Sequence, residues 1–180
     1  MQGTHNVILQ GLTITSLTEA IIARNCMNGI YPDQMAGQQI SPKQIEVDLG
    51  IFSGHKSSPA FPEVTLSQDA ESLFLSCECE AVGDKLCEHQ AAVLMALLQR
   101  DELRAFFDRE LRDKLVRKFA TDYGLEQEPD LDSFFAIELS NKKIQVTAKS
   151  SQLLPINKES LDKLKAVIVP DADPPAYRRR

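Results

Sequence analysis

Three of the chain's four cysteines and one of its three histidines fall within 13 residues, as Cys77, Cys79, Cys87 and His89. The spacing is C-x-C, a short intervening stretch containing Gly83, then C-x-H. Any fold of this chain has to account for that clustering. Residues two apart on an extended strand point the same way, so Cys77 and Cys79 can reach one ion from the end of a strand. Residues two apart in a regular helix lie about 200° around its axis, so Cys87 and His89 cannot both be ordinary helical residues and converge. The pattern therefore predicts Cys87 at or before a helix cap and His89 in the first turn, where the positive end of the helix dipole favours a thiolate. Three thiolates and one imidazole complete a tetrahedral ligand set of the kind structural Zn2+ uses. Buried reduced cysteines, an iron–sulfur cluster and a redox dithiol are the other readings, and the lack of a C-x-x-C pair counts against the last.

Charge and ligand count narrow the chemistry. Three thiolates around Zn2+ sum to about −1, and Glu78, Glu80, Asp84 and Glu88 surround them with only Lys85 opposed. A site whose four positions are all filled by protein leaves no place for water or substrate, which a catalytic zinc keeps open. The metal reads as structural, with no catalytic residue and no organic cofactor implied. Glu78 and Glu88 read as solvated carboxylates rather than a general acid and base. Over the whole chain, 20 Lys plus Arg against 26 Asp plus Glu give a net charge of −6, which disfavours a chain-wide grip on phosphate backbones. No apolar run reaches the length of a membrane span and no secretory leader is legible, so a cytoplasmic setting is the default expectation.

Periodicity and turn residues lay out the remainder. A capping box at Ser16-Leu17-Thr18-Glu19 predicts a helix over about 17–26, ending before Asn28-Gly29. Pro32, Gly37 and Pro42 mark 30–43 as loop, and the alternation of Ile45, Val47 and Leu49 predicts one strand, followed by a second loop carrying His55. Strands are expected around Val64-Leu66 and over Leu73–Cys79, then a buried helix from His89. A four-residue recurrence of Leu103, Phe107, Leu111, Leu115 and Phe119 predicts one helix from Asp101 to Tyr123, capped by Gly124, with Arg104, Asp108 and Arg112 on its solvated face. Beyond Pro129, a hairpin of 134–139 with 144–148 and a helix over 158–168 capped by Asn157 are expected. His5 and His55 read as exposed loop residues, and Cys26 as a small buried hydrophobe. The fold class is α+β: a small antiparallel sheet with a strand-strand-helix zinc unit, flanking helices and a terminal hairpin-helix portion. The expected division is a first domain over 1–124 with its core at 61–100, an accessory portion over 125–170, and a disordered tail over 171–180.

The segment carrying Cys77, Cys79, Cys87 and His89, with the apolar helix after His89, resembles the SWIM-type zinc finger. That likeness covers roughly residues 61 to 100. The surrounding layout resembles the N-terminal region that precedes bacterial Swi/Snf-type helicase-like ATPases. The resemblance implies one structural Zn2+ and an accessory role beside such an ATPase, in cis or in trans. The chain has no G-x-x-x-x-G-K-[ST] phosphate loop, so no enzymatic activity is expected of it and any motor would lie outside it. Two functional classes follow. One is a module that helps such a motor engage DNA, drawing on Lys56, Lys85, Arg100, Arg104, Lys142 and Lys143. The other is a structural or protein-interaction module with no direct nucleic-acid contact.

Overall fold

A computed structural model describes residues 3–28, 40–46, 49–54, 61–140 and 143–168. Its centre is a five-stranded antiparallel sheet built from β1 (His5–Gln10), β2 (Ile40–Glu46), β3 (Leu49–Gly54), β4 (Val64–Gln68) and β5 (Ser72–Cys77), in the order β1-β5-β4-β3-β2. Strict alternation along β1 buries His5, Val7 and Leu9, and the same parity on β4 and β5 buries Val64, Leu66, Leu73, Leu75 and Cys77. One face thus makes a continuous apolar floor. Helix α1 (Glu19–Asn25) and helix α2 (Glu88–Gln99) meet above it, and α2 packs against β5, β4 and β2. The absence of any polar stripe on α2 now has its reason. Gln90 through Leu97 are all buried, as an element held between a sheet and other helices requires. Gly50 on β3 leaves room for two rings, since a Cβ there would stand 2.4 Å from Phe52 and 3.3 Å from Phe107.

Several local expectations change. Thr18, not Ser16, caps α1 by accepting the Ile21 N–H, while Ser16 closes a 3-10 turn over Ile14–Ser16 by bonding back to Thr13. The segment expected to hold one strand through Ile45, Val47 and Leu49 holds parts of two: Glu46 pairs with Leu49 across β2 and β3, and 47–48 lie outside the described residues. Part of the expected loop over 30–43 is strand as well. β2 runs through Pro42 because it is an edge strand, and its register with β3 shifts between Pro42 and Gln44, the kind of place where a missing N–H is tolerated. The continuous helix expected from Asp101 to Tyr123 is broken into α3 (Asp101–Arg104) and α4 (Arg109–Ala120). Leu103, Ala105, Phe106 and Phe107 are all buried, and four such residues in five cannot share one face of an unbroken helix. The chain turns to seat both rings. Asp108 then caps α4 through the Leu111 N–H, and the Arg112 guanidinium donates to the carbonyls of Ala105 and Phe106. Asp108 and Arg112 are structural residues of the break rather than a solvated face.

Past the break, Val116, Ala120, Leu131 and Phe135 form a second apolar cluster. Phe119, Tyr123 and Phe135 close on one another in tilted and edge-to-face contacts with centroids 5.2 to 5.5 Å apart. The hairpin β6 (Phe135–Ser140) and β7 (Lys143–Ala148) and the helix α5 (Lys158–Ile168) form as expected, with Asn157 accepting the Ser160 N–H. Gly124 takes the left-handed cap conformation at φ 68°. On α5, Leu161 and Leu164 are exposed, although their spacing marks them for burial. Residues 169–180 lie outside the described residues. No helix among the described residues is long and apolar enough to cross a membrane.

Candidate metal centre

Cys77 is the last residue of β5, fully buried, and paired across the sheet with His5 on one side and Val64 on the other. The strand ends there, so Cys79 is presented from a bend two residues later and not from the strand itself. The turn is still anchored, because the Glu78 N–H donates to the Glu63 carbonyl at 3.0 Å. Cys87 is the N-cap of α2 in extended geometry, with its sulfur accepting the Gln90 N–H, and His89 follows in the first turn. The ligand atoms of Cys77, Cys79, Cys87 and His89 lie within 4.8 Å of one another. A tetrahedral ion bonded to thiolates at about 2.3 Å would set its ligands about 3.8 Å apart. The four side chains therefore form a cluster that could chelate a metal ion.

The chemistry of the donors agrees with their spacing. His89 Nδ1 is buried with no hydrogen-bond partner among the described residues, an arrangement that costs free energy unless something occupies the nitrogen. Its Nε2 lies 3.6 Å from a carboxylate oxygen of Glu88, and Phe61 meets the ring edge-on at 5.0 Å. Nδ1 is thus the buried imidazole nitrogen that a metal ion could satisfy. The Cys87 thiol is lowered to about 4 by the hydrogen bond from Cys77, against the opposing effect of burial, with further help from the His89 ring and the Gln90 N–H. The Cys77 thiol is pushed up, first by its hydrogen bond to Cys87 and then by burial. Burial also raises Cys79 and Cys26. Cys77 and Cys79, crowded beside the Cys87 sulfur, hold their protons unless a cation replaces them.

Three contacts from distant parts of the chain fix the approach to Cys87. The Leu86 N–H donates to the Asn25 carbonyl at 2.8 Å and its own carbonyl accepts the Met27 N–H at 3.0 Å, so the end of α1 grips the residue before Cys87. His5 is buried, contrary to the expectation of an exposed loop residue, and its Nε2 bonds the Lys85 carbonyl at 2.8 Å. A carbonyl only accepts, so Nε2 carries the proton. Gln90 is fully buried: its side-chain oxygen accepts the Cys87 N–H at 3.2 Å, while its amide donates to His5 O at 3.0 Å and Leu75 O at 3.4 Å. Gln90 thereby joins the helix start to β1 and β5. The signal for it was a Gln three residues after the capping Cys87, the reach-back position of a capping box.

The basic residues expected to contact nucleic acid do not gather into a free patch among the described residues. Arg100 donates to Glu102 and to the Ile40 carbonyl, both at 2.8 Å. Arg104 stands 3.4 Å from Asp108. Lys85 is exposed on the loop between Cys79 and Cys87, Lys143 begins β7, and Lys56 and Lys142 lie outside the described residues, as does His55. Beside the cluster is a surface depression of about 270 Å³ lined by Met27, Cys79, Glu80, Ala81, Cys87, Glu88 and His89, whose charged residues are acidic. Cys26 is buried, as expected. Comparison with family models, with curated proteins and with solved structures gave no match to this chain.

Proposed function

We propose that this chain is a non-catalytic zinc module in which one structural Zn2+, held by Cys77, Cys79, Cys87 and His89, clasps the end of β5 to the start of α2. The observation that carries the reading is the convergence of three sulfurs and an otherwise orphaned imidazole nitrogen within 4.8 Å. Zinc suits three thiolates and an imidazole in a tetrahedron, and four protein ligands leave it no open position for chemistry. The role is scaffolding: the ion fixes a surface through which the module meets other proteins. The SWIM-type likeness of the ligand spacing extends this to an accessory part of a Swi/Snf-type helicase-like system. Within such a system the contact is with protein, because Arg100 and Arg104 are engaged inside the fold and the metal loop carries Glu78, Glu80, Asp84 and Glu88. Direct DNA engagement through the basic residues is the second reading. It predicts binding that weakens steeply as salt rises.

The test is metal content of the purified chain beside that of C77A/C79A, followed by DNA and RNA binding at two salt concentrations. A stoichiometric metal lost in the double variant, with no nucleic-acid binding at low salt, is the expected result. Salt-sensitive DNA binding by the wild type would favour the second reading, and a metal-free wild type would overturn both.

A further inference from the structure

The two edges of the five-stranded sheet are built differently. The β2 edge carries Pro42, a register shift beside Lys43, and the ion pair of Lys43 with Glu63, all devices that discourage another strand from adding. The β1 edge has none. Its sequence, His5-Asn6-Val7-Ile8-Leu9-Gln10, contains no proline, glycine, acid, lysine or arginine, and it runs in unbroken register with β5.

The hydrogen-bond phase shows which backbone groups are free. The Gly11 N–H donates to the Glu71 carbonyl at 2.7 Å, which continues the same register and makes Leu9, Val7 and His5 the residues whose amides face β5, since bonded and non-bonded pairs alternate. The amides and carbonyls of Asn6, Ile8 and Gln10 point the other way. No described strand pairs with them. Their side chains are exposed on the outer face, with Ile8 at 55% and its cross-strand neighbour Phe74 at 36%. The other outward residues of β5 are Ser72 and Ser76, so this corner of the sheet is uncharged on a chain of net charge −6.

We propose that β1 is a homodimerisation strand, pairing antiparallel with β1 of a second copy about a two-fold axis at Ile8. The strand's own sequence selects that partner. With Ile8 opposite Ile8 of the second copy, Asn6 faces Gln10 and Val7 faces Leu9, so amide meets amide and apolar meets apolar at every step. The register also brings the outward amides of Asn6, Ile8 and Gln10 opposite matching carbonyls, and two copies of an acidic chain meet where neither presents charge. The result is a continuous ten-stranded sheet with Ile8 and Phe74 of both copies at its outer centre.

The register supplies the test. Asn6 and Gln10 are exposed, and among the described residues no side-chain hydrogen bond or ion pair involves them. N6K/Q10K places cations opposite one another across the axis, whereas N6K/Q10E places opposite charges there. Sedimentation of the full chain is expected to show a dimer for the wild type, a monomer for N6K/Q10K, and a dimer again for N6K/Q10E, with circular dichroism unchanged in all three. A wild type that stays monomeric at every concentration overturns the proposal and leaves the edge to an extended segment of another protein. So does a dimer that survives N6K/Q10K, or one lost equally in both double variants.

Discussion

Gln90 shows how much the centre depends on a side chain that would bind no metal. It is fully buried, and its amide connects the Cys87 N–H to the carbonyls of His5 and Leu75. Gln90→Ala would leave the Cys87 N–H unpaired in a dry site and remove the second bond to each of those sheet carbonyls, at a cost of about 1–3 kcal/mol. Denaturant unfolding of the variant should show that loss, and chelator competition should show weaker metal retention, with all four ligands still present. Proton chemistry gives a second expectation at this scale. The Cys87 thiol lies at about 4 and is already ionised near neutrality, whereas Cys77 and Cys79 are pushed up and hold their protons. Zinc binding must therefore displace protons from those two, so apparent affinity rises with pH and falls on acidification. Titration in a weakly buffered solution with a pH indicator should detect proton release on zinc addition. The clustering of Cys77, Cys79, Cys87 and His89 was legible in the sequence because their spacing is a local property. His5 and Gln90 were not, since their roles depend on β1 lying beside β5, a pairing between residues some seventy positions apart.

At the scale of elements, local pattern specifies the structure where a period runs undisturbed and misleads where burial competes with it. The helix from Glu88, the hairpin of β6 with β7 and the cap at Asn157 all follow from local pattern. The helix expected from Asp101 onward fails at Phe106 and Phe107, because both rings are drawn into the first apolar cluster while Val116 and Ala120 serve the second. A four-residue recurrence cannot tell one helix facing one core from two segments facing two. Asp108→Ala removes the cap that starts the second segment, and thermal or denaturant unfolding should register a loss of about 0.5–2 kcal/mol. In the same way, alternation through Ile45, Val47 and Leu49 cannot show that the chain reverses within it. Leu49 pairs with Glu46 and Ile45 with Gly50, so Ile45 and Leu49 lie on opposite faces of the sheet despite their shared parity in the sequence.

For the whole molecule, the ion is expected to act on stability as well as on local geometry. A ligand present at 1,000 times its dissociation constant stabilises the folded state by about 4 kcal/mol, which for a chain of this size corresponds to a rise in Tm of roughly 8–16 °C. Chelation should remove that increment, and restored zinc should return it. C77A/C79A should sit at the lower value and fail to respond to either treatment. The antiparallel sheet under α1 and α2 makes such coupling mechanical. The proposed clasp would join β5 to α2, and both contribute fully buried residues to the first cluster. The most direct measurement is elemental analysis of the chain purified under metal-replete conditions, with cobalt substitution to report the ligands. The result expected is about one zinc per chain, and cobalt spectra with thiolate charge-transfer bands and tetrahedral ligand-field intensity. Less than about 0.2 zinc per chain, with no such spectrum on cobalt addition, would contradict a structural zinc site.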